Sequence, residues 1–284
     1  MSLMVTVLLA GVLLSAGAPS GVTIPFTWTP GQIEIAVDVN GTPATFLLDT
    51  GSEYSIVSTR LATVLHLPTL HIGARDFTDE ATLNVGGITL AGQRVMVMPF
   101  DGYQARGRSI DGLIGYHFFA AYSVRIDFAA KTLTAWKPSA FEAPAAAIEV
   151  PITFAGYLPV VAAAVRLPGD RTLAARLMVD TGASQAIFLR YPFASEHRLI
   201  DANGQRSSAP SLADGTRTLI DVPVEQVSVG GLTFDRPNVR AFAEPAGSAG
   251  STATDGLIGN TLLSRFTLYV DYPRKRLLFE PARR

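Results

Sequence analysis

The sequence predicts an all-β protein of two pseudo-symmetric, barrel-like lobes with a cleft between them, and three observations carry that expectation. The triplet Asp49-Thr50-Gly51 recurs as Asp180-Thr181-Gly182. Each copy is followed by an identical pentapeptide, Asp-Gly-Leu-Ile-Gly, at 111–115 and at 255–259. Between these landmarks, short apolar runs of strand length alternate with Gly, Pro and Asn turns and leave little room for helix. Asp, Thr and Gly each make up about 5–7% of residues, so a chance triplet turns up about once in several thousand windows. Two copies with matching partners downstream mark an internal duplication.

Subtraction fixes its register. Each half has a Val-Gly-Gly turn, at 85–87 and 229–231, and from its first glycine to the pentapeptide aspartate both halves give 25 (111 − 86 and 255 − 230). From there to Asp127 or Asp271 both give 16 (127 − 111 and 271 − 255). Only the stretch between Asp-Thr-Gly and Val-Gly-Gly differs, 37 residues (86 − 49) against 50 (230 − 180).

In chain order, residues 1–21 read as an export signal: an apolar run from Met4 to Leu14 interrupted by Thr6, then the small residues Ser15 to Ala18. An uncleaved anchor is the competing reading, but the run falls short of the roughly 20 apolar residues that span a bilayer as a helix. Residues 22–140 form the first lobe. Gln32–Val39 alternates apolar and polar, Asn40-Gly41 supplies a tight hairpin turn, and the return strand Ala44–Leu48 runs into Asp49. Ser58 caps a helix over Thr59–His66, which Pro68 stops. Strands follow at Ala81–Val85 and Ile88–Val97, a loop over Asp101–Ser109, one or two helical turns at Tyr116–Ala121, and a closing hairpin of Ser123–Phe128 and Thr132–Trp136.

Residues rich in Pro and Ala, 141–149, form the linker, and 150–284 the second lobe. There Val160–Arg166 and Thr172–Val179 pair through Pro168-Gly169-Asp170 and deliver Asp180 as the first hairpin delivers Asp49. The first strand signal, Val22–Phe26, follows the leader directly and leaves no room for a propeptide.

Composition sets further bounds. A net charge of −1 without a long basic run points away from nucleic acid and anionic membrane as partners. Cysteine is absent, so thiol chemistry and thiolate metal sites are excluded and an exported chain must hold its fold by burial. His66, His71, His117 and His197 show no ligand spacing, and neither a metal nor a cofactor is expected.

Two aspartates at equivalent places in two lobes would meet at the lobe interface. Carboxylates held that close cannot both ionise cheaply; they keep one shared proton and their pKa values are driven apart. The ionised member can take a proton from a bound water while the protonated one donates to a peptide carbonyl. Asp111 and Asp255 read as turn formers, Asp127 and Asp271 as hairpin residues, and Arg106 and Arg108 as members of a solvated loop.

Asp49-Thr50-Gly51-Ser52 and Asp180-Thr181-Gly182-Ala183, each followed by Leu-Ile-Gly (113–115 and 257–259), resemble the pepsin-like and retropepsin-like aspartic peptidases. The lobe size is nearer to the retropepsins, so the chain looks like two retropepsin-like halves fused into one. The resemblance implies a pepsin-like bilobal fold, aspartic endopeptidase activity on a peptide or protein substrate, and a monomer, since one chain supplies both aspartates. It implies that Asp49 and Asp180 are the catalytic pair, that Thr50 and Thr181 interlock the loops, and that Gly51 and Gly182 present backbone amides. Gly115 and Gly259 would end the strand crossing beneath each loop, and Ser52 would support Asp49 through its hydroxyl, a service Ala183 cannot give Asp180. A catalytically silent peptide- or protein-binding relative is the alternative, but such proteins usually lose an aspartate or alter a triplet. The 13 extra residues of the second half fall where the covering hairpin of this family lies. The sequence therefore predicts that the second lobe supplies the main cover, with Asp214-Gly215 as tip turn and Thr216–Ile220 as returning arm; a longer helix region or surface loop is the alternative.

Overall fold

The structure, a computed structural model, describes residues 21–100, 103, 107–201, 204–211, 215–245 and 247–281. The expected export signal falls almost wholly outside the described residues, as do Arg106 and Asp214.

The first lobe runs β1 (Val22–Pro25), β2 (Thr27–Thr29), β3 (Gln32–Val39), β4 (Thr42–Leu48), β5 (Ile56–Ser58), α1 (Thr59–Val64), β6 (Leu70–Ile72), β7 (Arg75–Thr78), β8 (Leu83–Val85), β9 (Ile88–Leu90), β10 (Val95–Met98), β11 (Gly112–Ile114), α2 (Tyr116–Ala121), β12 (Ser123–Asp127) and β13 (Thr132–Trp136). The second runs β14 (Ile148–Pro151), β15 (Thr153–Ala155), β16 (Leu158–Arg166), β17 (Thr172–Val179), β18 (Ile187–Leu189), α3 (Tyr191–Glu196), β19 (Arg206–Ser211), β20 (Gly215–Asp221), β21 (Gln226–Val229), β22 (Leu232–Asp235), β23 (Val239–Phe242), β24 (Gly256–Ile258), α4 (Asn260–Leu263), β25 (Phe266–Asp271) and β26 (Arg276–Pro281).

The expected hairpins form, with Asn40 and Gly41 at φ 50° and 86°. Alternation buries one face of β3 (Ile33, Ile35, Val37 and Val39), which is why its register holds. The expected strand over Ile88–Val97 is broken into β9 and β10, because Gly92 turns at φ 68°.

Each lobe curls a ten-stranded sheet into a half-barrel, and the two orders correspond strand for strand: β6-β7-β10-β5-β11-β4-β3-β8-β9 with β2 beside β3, and β19-β20-β23-β18-β24-β17-β16-β21-β22 with β15 beside β16. A third sheet, β1-β13-β12-β25-β26-β14, joins the lobes. The closing hairpins of the two halves pair with each other there, Val124 opposite Val270, and bury Val124, Ile126, Leu268 and Val270. Asp127 serves its hairpin, accepting from the Ala130 N–H at 2.9 Å. Asp271 does more than the expected hairpin residue. Fully buried, it accepts from Ser123 Oγ (2.8 Å) and Arg276 Nε (2.8 Å) and so clamps the seam between lobes.

The correspondence locates the extra residues. Hairpin β19–β20 is the counterpart of β6–β7 and spans 16 residues against 9; seven of the 13 extra residues lie in it, five before it and one after. The first-lobe segment after Pro68 forms the shorter hairpin, turning at Gly73 (φ 62°).

Candidate active site

Strands β4 and β17 end in the two aspartates, and β11 and β24 lie parallel beside them, Leu113 opposite Leu47 and Leu257 opposite Met178. The backbone N–H of Asp49 donates to Ile114 O and that of Asp180 to Ile258 O, each at 2.9 Å. The pentapeptide glycines let the loops fold back onto these strands: a Cβ at Gly115 would lie 2.2 Å from Tyr54 O, and one at Gly259 2.5 Å from Gln185 O. The pentapeptide aspartates are strand anchors rather than simple turn formers. Asp111 accepts from the Thr45 N–H (3.0 Å) and pairs with Arg60; Asp255 accepts from the backbone N–H of Arg176 (2.7 Å) and pairs with the Arg176 guanidinium (3.5 Å). Each fastens its strand to the one carrying the aspartate.

The loops lock across the pseudo-twofold. Each threonine hydroxyl accepts the other's backbone N–H, Thr50 to Thr181 Oγ1 and Thr181 to Thr50 Oγ1, both at 3.0 Å. Each hydroxyl also donates into the opposite strand, Thr50 Oγ1 to Val179 O (2.7 Å) and Thr181 Oγ1 to Leu48 O (2.9 Å). Both side chains are buried, so the four bonds face no competition from water.

This lock brings the carboxyls into one site. A Cβ on Gly51 would lie 2.6 Å from Asp180 Cγ, and one on Gly182 2.6 Å from Asp49 Cγ. The Gly51 N–H donates to Asp49 Oδ1 and the Gly182 N–H to Asp180 Oδ1, both at 2.8 Å. Asp180 gains a second amide, from Ala183 at 3.1 Å. Burial pushes both carboxyls up, although each keeps a face open to the cleft. Asp49 rises well above the carboxylate range, through burial first and then the Asp180 charge and the hydrogen bond between them. For Asp180 the hydrogen bond from Asp49, the Gly182 and Ala183 amides and the charge of Arg190 all oppose burial. The second amide from Ala183 and the Arg190 charge thus favour the ionised form at Asp180, and the Asp180 charge favours the protonated form at Asp49.

Ser52 departs from expectation. Its hydroxyl donates to Tyr54 O at 2.8 Å rather than to Asp49, because the chain reverses within two residues and offers that carbonyl first. Sequence reasoning missed the side chains that support these loops. Asn260 Nδ2, fully buried, donates to Thr181 O (2.6 Å) and Gly31 O (2.8 Å). Gln32 Nε2 donates to Gly182 O (2.7 Å) and Tyr103 OH (2.8 Å), while Arg108 holds its carbonyl at 2.6 Å. Arg108 is thus part of this network and not of a solvated loop. On the other side the Tyr272 hydroxyl reaches Thr50 O at 3.4 Å, and Arg190 lies buried beside Asp180. Asn260 carried a signal, since it stands where the first half has Tyr116, just after the repeated pentapeptide; Gln32 carried none.

Cavities flank the dyad. One of about 490 Å3 is lined by Gly51, Ser52, Ala74 and Arg75, another of about 560 Å3 by Gly51, Arg75, Asp180 and Arg190. The tip of the first-lobe hairpin thus borders both. Of the expected cover from the second lobe, the returning arm Thr216–Ile220 lies in β20, while Asp214 of the tip turn Asp214-Gly215 lies outside the described residues. Among the described residues no group of His, Cys, Asp and Glu is arranged to hold a metal, and no helix is long and apolar enough to cross a membrane.

A profile of the aspartyl protease family matches residues 35–118 and 163–262, which take in both Asp-Thr-Gly loops and both Leu-Ile-Gly strands. No curated protein sequence matches. Among solved structures, the aspartic proteinase from Irpex lacteus superposes with a TM-score of 0.54 at 14% identity, covering 92% of this chain and 97% of that one. At that identity the likeness concerns the fold.

Proposed function

We propose that this chain, which belongs to the aspartyl protease family, is an active aspartic endopeptidase with Asp49 and Asp180 as its catalytic pair. The observation that carries the reading is the reciprocal packing of Gly51 on the Asp180 carboxyl and of Gly182 on the Asp49 carboxyl, with one backbone amide on Asp49 and two on Asp180. A water held between the carboxyls gives a proton to ionised Asp180 as its oxygen bonds to the peptide carbonyl carbon. Protonated Asp49 gives its proton to the carbonyl oxygen, so a neutral tetrahedral diol forms without metal or covalent intermediate. In the collapse, the proton on Asp180 passes to the amide nitrogen, the C–N bond breaks, and a diol hydroxyl returns its proton to Asp49. Both intact triplets support a working enzyme over a silent binding relative.

The chain is further read as exported to the periplasm or the exterior through residues 1–21, and as a monomer. Mapping the mature N-terminus and sedimentation of the active species test those two points; active dimers with inactive monomers would overturn the second. The decisive experiment is hydrolysis of a mixed peptide library by the purified protein. Asp49→Asn and Asp180→Asn should each lower turnover at least about a hundredfold, since the shared proton leaves no spare acid or base. Retention of more than that in either variant sinks the assignment.

A further inference from the structure

We propose that Gln32 is a positioning residue for Asp180, acting through the Gly182–Ala183 peptide group, and that Arg108 sets its amide for that task. The inference deepens, and rests on, the reading of Asp49 and Asp180 as a working dyad.

The path is covalent at its middle. Gln32 Nε2 donates to Gly182 O at 2.7 Å. That carbonyl and the Ala183 N–H belong to one planar peptide group, and the N–H donates to Asp180 Oδ1 at 3.1 Å. A donor on the carbonyl draws electron density through the amide and strengthens the N–H at its other end. The gain matters here because the Ala183 N–H is shared with Asp180 O at 3.3 Å, so its hold on the carboxylate depends on how strongly it is polarised. Gln32 is buried, which keeps water from replacing its bond.

A glutamine amide can present either end, and Arg108 decides which. Arg108 Nη1 donates to Gln32 Oε1 at 2.6 Å. A guanidinium can only donate, so it holds the amide oxygen toward itself and turns the NH2 to its two acceptors, Gly182 O and Tyr103 OH (2.8 Å). Rotated by half a turn, the amide would set its oxygen against Gly182 O and its NH2 against the guanidinium. Glu34 in turn accepts from Arg108, through Nε at 3.0 Å and again through Nη2, and matches its charge. What reaches Asp180 is an oriented dipole rather than a net charge.

The two aspartates differ in this respect. The first amide of each loop has a donor behind it: Asn260 on Thr181 O at 2.6 Å, and the Tyr272 hydroxyl on Thr50 O at 3.4 Å. Among the described residues, only Asp180 has a second amide, and Gln32 stands behind that one. Leu158 takes the place of Gln32 in the other lobe, pairing with Ala155 as Gln32 pairs with Thr29, and a leucine has no donor for Gly51 O. A side chain of the first lobe thus steers the aspartate of the second toward its ionised form. Other titratable groups border Asp180: Asp49 at the end of β4, Glu53 beyond the first loop, Arg75 in the β6–β7 hairpin, Arg190 ahead of α3 and Tyr272 after β25. None of them is altered in the variants below.

The test is the pH profile of kcat/KM on a blocked peptide without titratable side chains, for Gln32→Leu, Arg108→Met and Arg108→Lys. With the donor gone, ionised Asp180 is held less well and the dyad gives up its first proton less readily. The acid limb should therefore move up by about half a pH unit or more in Gln32→Leu, the effect of part of one hydrogen bond. The alkaline limb reports loss of the second proton, from a dyad already ionised once, and should stay in place, so the bell narrows from its acid side. Arg108→Met should move the same limb in the same direction by less, and Arg108→Lys, which keeps a donor for Gln32 Oε1, should restore it. A loop that is merely loosened lowers the rate at every pH and leaves both limbs where they are. Should Gln32→Leu fail to fold, Arg108→Met, at a side chain 21% exposed, carries the test. An acid limb unmoved in Gln32→Leu overturns the relay, and one moved there but unmoved in Arg108→Met overturns the part given to Arg108. Carbon-13 NMR of protein labelled at its aspartate carboxyls follows the same transition without turnover, the dyad signals being those lost in Asp49→Asn or Asp180→Asn. An upward shift of that transition in Gln32→Leu with no peptide cleaved defeats the peptidase reading alone; cleavage with both limbs unmoved defeats the relay alone.

Discussion

The two aspartate loops share one backbone plan and differ in what holds them. Around the second loop the support is polar: Asn260 bonds Thr181 O and Gly31 O, and Gln32 bonds Gly182 O. Around the first it is aromatic, with Tyr54, Tyr116, Tyr157 and Tyr272 packed ring to ring and Tyr116 standing where the second lobe has Asn260. The same swap appears at the turns that reach across the interface. Thr29 pairs with Gln32 as Ala155 pairs with Leu158, so a glutamine on one side answers a leucine on the other. What both loops need is backbone placement, and either hydrogen bonds or ring packing can supply it. The difference that reaches the carboxyls is the extra Ala183 amide and the Arg190 charge at Asp180, which favour the ionised form there.

The largest effects should fall where the loops are alike. Gly51→Ala and Gly182→Ala each put a methyl 2.6 Å from the opposing carboxyl carbon. A shift of about 1 Å in the dyad costs on the order of 100-fold, so kcat/KM should drop by about that much in both variants. A near-normal rate in one of them would break the equivalence of the loops.

Intermediate effects should separate the polar side from the aromatic one. Asn260→Ala leaves the buried Thr181 carbonyl and the partly buried Gly31 carbonyl without this partner and should cost about 1–3 kcal/mol of stability in denaturant unfolding. Its kcat should fall about tenfold while KM moves less, because the Asp180 loop loosens. Gln32→Leu, which copies Leu158, should act in the same direction. Tyr157→Phe keeps the ring and should leave both quantities within the small range of surface substitutions, about 0.5 kcal/mol. Equal effects on the two sides would remove the contrast.

Ser52→Ala should do least. Its hydroxyl serves Tyr54 O, so kcat should change by less than about threefold and stability by about 1 kcal/mol, the worth of one hydrogen bond. A loss near that of the glycine variants would restore the expected bond to Asp49.

Most of the fold was readable because the duplication repeats its punctuation. Asn40-Gly41, Ser58 and Pro168-Gly169-Asp170 each set a local geometry that needs no partner from afar, and the strands they bound fall where alternation places them. The interlobe sheet was not readable, since nothing in Ser123–Asp127 says that its edge will meet Phe266–Asp271 rather than solvent. The same holds at the site. Asp49, Asp180 and both threonines lie in motifs that announce themselves, whereas Gln32 and Arg190 act across 150 and ten residues of chain on a loop they do not border in sequence. Ser52 misled because the resemblance implied a bond to Asp49, whereas the carbonyl of Tyr54 two residues on takes its hydroxyl.

The shared proton is tested most directly by the pH dependence of kcat/KM on a single cleaved peptide. One carboxyl must be ionised and the other protonated; burial raises both, and the amides and Arg190 charge at Asp180 oppose that rise. The rate should therefore climb as pH rises through the lower of the two dyad transitions and fall as it rises through the upper one, giving a bell with its maximum below neutrality. A flat profile extending above neutrality would contradict a dyad that works by holding one proton between two carboxyls.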